Sequence, residues 1–477
     1  MISKERYARI LDYIKAHEDD IIRDLSCLCS MPSVTSESHD ENEPFGHECA
    51  LCLEKAADLF RQNGFNADVY AKSGYALACG ANLDSKKTIG IYAHTDVVPV
   101  NKTEWTVTKP FEPKVIGNCI VARGVSDNKG AVIASLYIMK ALRELGIGTN
   151  SKFQIFLGSN EESGMRDVKA FAKEQKLPDV NIVPDAGYPA AIGQKGIYRF
   201  DIRAKKPFED IVNISGGTAY NILLDKVSAK LKRNDALFEE LRKKANDEIT
   251  VEDGSFITVT AVGVSAHAAT AWQGVNAFWI LTKFLLGIES LSKNDKETLK
   301  FVEESLSDVY CNPWGIASEN EFFGETTGAN GIVRTVNGCL EYTFDVRHND
   351  NIRGEALENA VRSYFEGAGF EYRKYSHSDC MKRDENSMQI KTFMDGYRAL
   401  TGKEDAKPYV MGGGTYANHL DGGFAIGVGY KAYEKNVELP DGHGGAHQAD
   451  EICCIPNLLE GIALMAELLL EIDDNLM

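Results

Sequence analysis

The sequence predicts an α/β fold in which buried strands alternate with helices, together with a second, inserted domain of α+β type. Runs of β-branched, aromatic and small residues at 88–93, 153–157 and 181–183 have the composition of buried strands. Between the first two runs, residues 131–145 are rich in Ala, Leu, Ile and Met, which indicates a helix. The sequence pattern changes at about residue 191, where longer stretches that mix strand and helix patterns begin.

The inserted domain is predicted to span residues 191–384, which leaves residues 1–190 and 385–477 as one discontinuous domain. Within the insert, residues 340–346 alternate between apolar and polar with a period of two, as in a sheet with one side facing water. Residues 221–245 of the same insert are predicted to form a helix. We expect the insert to act as a lid. Its two long stretches suggest that the lid consists of two related halves.

Composition narrows the functional classes. The 477 residues carry a formal net charge of −18, which argues against nucleic acid or an anionic membrane as a partner. No run approaches the roughly 18 apolar residues of a membrane-spanning helix. The N-terminal residues are charged and lack the apolar segment of a secretory signal, so we predict a cytoplasmic protein.

The eleven cysteines are an odd number scattered through a long chain, which predicts reduced thiols. One group, Cys27, Cys29, His47, Cys49 and Cys52, loosely resembles the spacing of a structural zinc site. Both cysteine pairs fall inside helical patterns, however, and cysteine is a common buried residue. We therefore predict that these thiols belong to the core.

Polar side chains follow the predicted strands at the points where the strands end. They are His94 and Asp96 after the first run, Asp127 after a strand-like run at 115–121, Glu161 and Glu162, and Asp185. Because ligands of open α/β sheets bind beyond the carboxyl ends of the strands, four strands are predicted to bring these groups to one sheet edge. Alone, His94 and Asp96 also fit a structural histidine beside a capping aspartate, but the repetition favours a site.

These residue types predict a metal centre. Zinc takes imidazole nitrogen and carboxylate oxygen as ligands, and a hydrolytic site keeps one position open for water. The candidate ligands are His94, Asp127, Glu162, Asp185 and His447. Five ligands exceed what one catalytic zinc uses, but they suit two metals that share a bridging carboxylate.

Other residues near the predicted metals have assignable roles. The neighbouring Glu161 and Glu162 cannot both face the same metal, so one of them is available as a general base. Asp96 suits the position behind a ligating histidine, where a carboxylate fixes the tautomer of the ring. Further along the chain, the glycine run at 412–414 allows close backbone approach to a ligand, although an ordinary tight turn explains it equally well.

Taken together, these segments resemble the aminoacylase/dipeptidase family of co-catalytic zinc metallopeptidases, and within it the bacterial dipeptidases of the PepV type. The matching segments run across nearly the whole chain, at residues 94–99, 123–130, 161–162, 185, 265–267, 412–417 and 446–448. Their order and spacing carry the resemblance, since each segment alone is a modest signal.

The resemblance implies a zinc-peptidase domain with a central mixed sheet flanked by helices, plus the lid. It implies that Asp127 bridges two Zn²⁺ ions, with Mn²⁺ or Co²⁺ as alternatives. His94 and Asp185 would complete one metal site, and Glu162 and His447 would complete the other. The peptide bond that follows Asp127 is expected to be cis.

The resemblance also implies roles beyond the ligands. Glu161 would be the general base, and His267 of the lid would stabilise the oxyanion. The expected substrate contacts are Asn221, Arg347, Gly413, Gly414 and Thr415. At Asn418 the chain departs from dipeptidases of this type, which usually carry an arginine there.

The implied activity is hydrolysis of the amide bond of dipeptides or very short peptides, by metal-hydroxide attack with a glutamate base. An N-acyl amino-acid deacylase of the same family is the alternative, and a non-catalytic metal-binding protein is the hypothesis from another class. Retention of Glu161 with all five ligands favours an enzyme, and the long insert favours a dipeptidase. The expected partner is a small peptide substrate, and a doubled lid implies a monomer.

Overall fold

The computed structural model describes residues 3–476, and these residues form two compact units. The first unit consists of the described residues up to Ile192, of Lys382–Tyr409, and of the described residues from Thr415 onward. The second unit consists of Gly193–Met381 and Val410–Gly414. The chain thus passes between the units close to both ends of the predicted insert, and the glycine run at 412–414 groups with the second unit.

The helices of the described residues are α1 (Lys4–Ala16), α2 (Glu18–Cys29), α3 (His47–Gln62), α4 (Lys129–Glu144), α5 (Arg166–Glu174), α6 (Asp235–Lys244), α7 (Ala277–Leu286), α8 (Lys293–Ser305), α9 (Gly354–Gly367), α10 (Met388–Thr401) and α11 (Ile455–Asn475). Helix α4 is apolar on nearly every face and is buried along most of its length, as such a composition requires. It packs against α1, α2 and α11 on the helical side and against the sheet of the first unit.

The first strands along the chain are β1 (Asn66–Tyr70), β2 (Tyr75–Ala81), β3 (Thr88–His94), β4 (Lys114–Ile116), β5 (Cys119–Val121), β6 (Lys152–Gly158), β7 (Val180–Val183), β8 (Ala191–Gln194), β9 (Gly196–Ala204), β10 (Ile211–Ser215), β11 (Lys226–Lys232) and β12 (Ile249–Glu252). The remaining strands are β13 (Phe256–Val262), β14 (Glu319–Asn320), β15 (Gly324–Glu325), β16 (Thr327–Ala329), β17 (Val333–Val336), β18 (Cys339–His348), β19 (Phe370–Ser378), β20 (Met381–Lys382), β21 (Tyr409–Met411), β22 (Phe424–Ala425) and β23 (Ile452–Cys454).

The main sheet of the first unit is mixed, and its strands follow the order β1-β2-β6-β3-β7-β22-β8. Strands β6, β3, β7 and β22 are parallel to one another, whereas β1, β2 and β8 pair in the antiparallel sense. The parallel strands are almost entirely buried, as expected for strands covered on both faces. The α/β class and the central mixed sheet are therefore confirmed.

The prediction that four strands deliver the acidic groups to this sheet was wrong for one of them. Strand β5 lies in a separate three-stranded sheet of order β23-β5-β4. Asp127 therefore reaches the site from the loop that precedes α4, and no strand end of the main sheet carries it. Strand β5 pairs instead with β23 near the C-terminal end of the chain, and the local pattern of residues 115–121 could not show that partner.

The second unit contains two main antiparallel sheets. One has four strands in the order β10-β11-β13-β12, and the other follows β16-β18-β9-β19 with β17 paired to β18. Side chains from both sheets, such as Leu231, Val259, Phe200 and Phe344, pack into one apolar core. The two sheets therefore belong to a single folded body.

The predicted helix over residues 221–245 was wrong. The structure places strand β11 at Lys226–Lys232 and starts helix α6 only at Asp235, with the Asn234 side chain as its N-cap. Within β11, Val227, Ala229 and Leu231 are buried and alternate with more exposed residues. Pairing with β13 and burial of every second side chain stabilise the strand, and together they outweigh the helical propensity of the neighbouring residues.

Three of the four thiols in the N-terminal cysteine group lie in the core as predicted, whereas Cys27 is partly exposed. Cys29, Cys49 and Cys52 are buried free thiols, and burial raises the pKa of Cys49 to about 12. Among residues 3–476, no helix is both long and apolar enough to cross a membrane.

Candidate active site

The site is built where three parallel strands of the main sheet end. Strand β3 ends at His94, and its neighbours β6 and β7 pair with it on either side. The chain continues from β6 to Glu161 and Glu162 and from β7 to Asp185. Because carboxyl ends of parallel strands meet at one edge, these four side chains are brought together as predicted.

Two groups of potential metal ligands share one residue. The first group is His94, Asp127 and Asp185, and the second is Asp127, Glu162 and His447. Within each group, the candidate ligand atoms all lie within 4.8 Å of one another. All five residues proposed as ligands therefore meet in the first unit, with Asp127 common to both groups.

The carboxylate of Asp127 faces one imidazole with each oxygen. Its Oδ1 lies 3.2 Å from His94 Nε2, and its Oδ2 lies 3.1 Å from His447 Nε2. Each imidazole also faces a carboxylate of its own. His94 Nε2 is 3.8 Å from Asp185 Oδ1, and His447 Nε2 is 3.1 Å from Glu162 Oε1.

The closely packed carboxylates shift the pKa values of the candidate ligands. Burial, and then the charge of Asp127, raises the pKa of Glu162 to about 7 and that of Asp185 to about 6. Burial alone would lower the pKa of His447, but the facing carboxylates of Asp127 and Glu162 raise it to about 11. The cluster thus carries closely packed negative charge that a bound cation would neutralise.

The donor set fits divalent metal ions. His94 is buried, and its Nε2 has no hydrogen-bond partner among residues 3–476 although carboxylate oxygens lie nearby. A buried ring nitrogen without a partner is costly unless something binds it. Imidazole nitrogen with carboxylate oxygen is also the ligand chemistry of catalytic zinc. The peptide bond between Asp127 and Asn128 is cis, which confirms the expectation from the sequence.

Backbone and side-chain contacts of Asp96 hold the ligand segments in place. His94 Nδ1 lies 3.0 Å from the backbone carbonyl of Asp96 and 3.4 Å from its Oδ1. The two carboxylate oxygens of Asp96 accept hydrogen bonds from the amides of Glu161 and Glu162, each at 3.1 Å. Asp96 thereby connects the end of β3 to the segment after β6, and its carbonyl is the closer partner of the imidazole.

Glu161 differs from its neighbour in its surroundings. Its side chain is buried, and its Oε1 has no hydrogen-bond partner in the described part of the chain. It belongs to neither ligand group. Burial, and then the charge of Asp185, raises its pKa well above the ordinary glutamate value. The geometry thus separates Glu161 from Glu162, which the residue pattern alone left open.

Asn128 is a contact that the sequence analysis missed. Its side-chain amide donates to Asp185 Oδ1 at 2.9 Å and to the carbonyl of Pro184 at 2.8 Å. Its Oδ1 accepts from the amide of His94 at 3.2 Å. An aspartate could not donate to Asp185, so the asparagine suits this position. The only signal in the sequence was its place beside Asp127.

The predicted substrate contact Asn221 and the predicted oxyanion residue His267 lie close together in the second unit. The amide of Ala268, which follows His267, donates to the carbonyl of Asn221 at 2.9 Å, and Ile222 forms a β-bridge with His267. The amide of Ala269 donates to His267 Nδ1 at 3.2 Å. Because Nδ1 accepts, a neutral ring carries its proton on Nε2 and has a donor there.

Arg347 is buried in the second unit and is held by an ion pair with Asp345. Its Nε and Nη2 donate to Asp345, and its Nη1 donates to the carbonyl of Gly412. Burial alone would raise the pKa of Asp345, but the guanidinium groups of Arg347 and Arg199 hold it below its ordinary value. A Cβ at Gly412 would lie 2.1 Å from the Cβ of Ala269, so only glycine fits beside the turn that follows His267.

The rest of the glycine segment divides between the units. Gly413 and Gly414 end the second unit, whereas Thr415 begins the next part of the first unit. Thr415 is buried and its hydroxyl caps the short turn at Tyr416–His419. Asn418 lies in that turn, and burial lowers the pKa of the adjacent His419 to about 4.

A mixed α/β unit that gathers two histidine–carboxylate groups around one shared aspartate has the architecture of a metal-dependent hydrolase. Residues 90–471 match the model of the family described as Peptidase family M20/M25/M40. The chain belongs to this family, and it is a metallopeptidase-type hydrolase that uses divalent metal.

Similar proteins extend over most of the chain. A protein of Staphylococcus epidermidis named "Putative dipeptidase" is 28% identical over 438 residues, which cover 88% of this chain and 91% of that protein. A protein of Staphylococcus aureus with a similar name is 26% identical over 433 residues, covering 87% and 91%.

Solved structures share the fold. Human carnosine dipeptidase 1 aligns with a TM-score of 0.62 at 15% identity, covering 98% of this chain and 99% of that one. The Saccharomyces cerevisiae dipeptidase Dug1p aligns with a TM-score of 0.62 at 15% identity and covers 99% of both chains. These alignments support the α/β fold with an inserted lid domain.

Proposed function

We propose that this protein is a dinuclear zinc dipeptidase. The observation that carries the proposal is the orientation of Asp127, whose two oxygens each face a different histidine. A carboxylate placed in this way suits two cations that share one bridging ligand. The dipeptidase names of the Staphylococcus relatives support the substrate class.

In this proposal, His94, Asp127 and Asp185 would hold one ion, and Asp127, Glu162 and His447 would hold the other. When bound, such ions polarise a scissile carbonyl and lower the pKa of water from 15.7 to about 7. Asp96 and Asn128 keep the ligands in register through their hydrogen bonds to the ligand segments. Zn²⁺ is the ion that this nitrogen and oxygen donor set fits, with Mn²⁺ and Co²⁺ as alternatives.

In this proposal, Glu161 is the general base that transfers a proton from water to the leaving amine. Its buried Oε1 has no hydrogen-bond partner among residues 3–476, so it can accept a proton from the attacking water and return it to the leaving amine. Its backbone is fixed through the hydrogen bond from its amide to Asp96. The side chain is therefore positioned without being used as a ligand.

The second unit would bind the substrate. In this proposal, Nε2 of His267 would donate to the developing oxyanion, and Asn221, whose carbonyl accepts from the amide of Ala268, would contact the peptide. Arg347 uses three of its five N–H donors on Asp345 and Gly412, which leaves donors for a carboxylate of the substrate. The backbone at Gly413 and Gly414, with Thr415, would also contact the substrate in this proposal.

We further propose that the enzyme acts on small peptides in the cytoplasm, as a monomer. The eleven cysteines are all free thiols, in keeping with a reducing compartment.

The test is a substrate panel. Metal-depleted protein is reloaded separately with Zn²⁺, Mn²⁺ or Co²⁺, and release of free amino acids is measured for dipeptides, tripeptides and N-acetyl amino acids. We expect hydrolysis of dipeptides, slower hydrolysis of tripeptides, and little activity on N-acetyl amino acids. Faster cleavage of N-acetyl amino acids would make the protein a deacylase. Metal-loaded protein without activity on any of these substrates would overturn the enzymatic proposal.

A further inference from the structure

The loop that carries Asp127 is organised around a buried acid far away in the sequence. Glu451 is fully buried and lies just before β23. Its Oε1 accepts from the amides of Ser126 and Asp127 at 2.8 Å and 3.0 Å. Its Oε2 accepts from the amide of Gly124 at 2.9 Å and from Arg123 Nη1 at 2.7 Å. Four donors from one loop thus converge on a single carboxylate.

The path of this loop is set by individual hydrogen bonds, which also include one from the amide of Arg123 to the carbonyl of Pro110 at 2.8 Å. Residues 123–127 lie between β5 and α4 and belong to neither element. Gly124 adopts a φ of 81°, and a Cβ there would lie 2.7 Å from the side chain of Val97. The backbone carbonyl of Glu451 also accepts from the amide of Ala122 at 3.0 Å. Both the backbone and the side chain of Glu451 therefore fix the path that leads to Asp127.

Through Arg123, Glu451 is also connected to the candidate ligand His447. Arg123 is buried, forms its ion pair with Glu451, and donates from Nη2 to the carbonyl of His447 at 3.3 Å. His447 is four residues before Glu451 and has a φ of 65°. One buried ion pair therefore spans the segments of the shared aspartate and of a histidine from the second ligand group.

We propose that Glu451, with Arg123, is a positioning residue for the metal centre, which aims the Asp127 carboxylate at both metal sites and places His447 at one of them. The inference rests on the metal assignment of the proposed function. Removal of a group that orients a ligand typically lowers metal affinity about 10- to 100-fold. Because Asp127 is shared, the loss is expected at both sites together.

The chain offers a matched control in the second unit. Asp295 is also fully buried, and its carboxylate accepts from three successive backbone amides, those of Glu209, Asp210 and Ile211. Asp295→Asn therefore removes the charge of a buried acid that organises a loop without ligands. Any loss of metal affinity that comes only from a weakened fold should appear in this variant too.

The experiment measures metal binding rather than turnover. Metal-depleted wild type, Glu451→Gln and Asp295→Asn are titrated with Zn²⁺ in competition with a chromophoric chelator, and melting of the metal-free proteins is recorded in parallel. We expect Glu451→Gln to bind both ions about 10- to 100-fold more weakly. Asp295→Asn should retain the wild-type affinity even if its melting temperature falls. Wild-type affinity in Glu451→Gln, or an equal loss in both variants, would overturn the proposal.

A second variant decides the question if Glu451→Gln does not fold. Arg123→Lys keeps a positive charge beside Glu451 but lacks the planar fork that also reaches the carbonyl of His447. Its zinc titration should show weaker binding of one ion, with binding of the other unchanged. Unchanged binding of both ions would overturn the proposal. Because turnover is not the readout, failure of the wild type to cleave dipeptides would overturn the proposed function and leave this inference standing.

Discussion

Replacement of Glu161 by glutamine separates proton transfer from metal binding. The side chain lies outside both ligand groups, and its Oε1 makes no hydrogen bond within the described chain. The contact that fixes this residue is made by its backbone amide with Asp96, and the substitution preserves it. Glu161→Gln should therefore retain both metals and the wild-type melting temperature, because the change removes only the ability to accept a proton.

The expected loss of turnover follows from the proposed role of Glu161 as a general base. A general acid–base group contributes about 10²–10⁴-fold to turnover, which corresponds to about 3 to 5 kcal/mol of activation free energy. The assay is kcat and KM on the best dipeptide of the panel, with metal content and melting recorded on the same samples. We expect kcat to fall within this range while KM changes little.

The neighbouring residue supplies the control. Glu162 lies 3.1 Å from His447 Nε2 and belongs to a ligand group, so Glu162→Gln should lose metal as well as activity. The reasoning would be refuted if Glu161→Gln kept nearly full turnover, or if it lost as much metal as Glu162→Gln. In either case, Glu161 could not be a base that is separate from the ligands.

Three further predictions concern the shared ligand, the oxyanion donor and acid stability. Asp127→Asn should lose both metals in a metal analysis, whereas Asp185→Asn should weaken mainly one, since only Asp127 belongs to both groups. His267→Ala should lower kcat by about 10²–10³-fold without changing metal content, and an unchanged kcat would exclude an oxyanion role. Burial lowers the pKa of His348 and His377, so the folded second unit binds protons more weakly than the unfolded chain. Its stability should therefore be lost as pH falls below about 6.5, with a smaller loss in His377→Gln. Thermal unfolding followed by tryptophan fluorescence measures this loss, since three of the four tryptophans lie in the second unit.

The strand-end part of the site could be predicted from the sequence because it depends on local patterns. The runs that became β3, β6 and β7 are short, largely apolar and made of β-branched, aromatic and small residues, and each is followed by a polar group. Parallel pairing then brings His94 and Asp185 to the same edge without any further information. The α/β class follows from the same alternation of strands and helices.

The parts that sequence reasoning missed depend on contacts between distant segments. Asp127 is held by Glu451, which lies 324 residues further along the chain. No local pattern indicates that hydrogen bond. Sequence reasoning assigned no role to Asn128, and only the structure shows its contacts with the segments of His94 and Asp185. Likewise, β11 was mistaken for part of a helix because its partner strand decides its conformation.

Metal stoichiometry of the active wild-type protein tests the central claim most directly. Protein freed of metal by a chelator is titrated with Zn²⁺, and bound metal and dipeptide hydrolysis are measured on the same samples. The shared position of Asp127 predicts that two ions per chain are bound and that full activity is reached only when both sites are filled. Full activity with a single ion per chain would contradict the two-metal site.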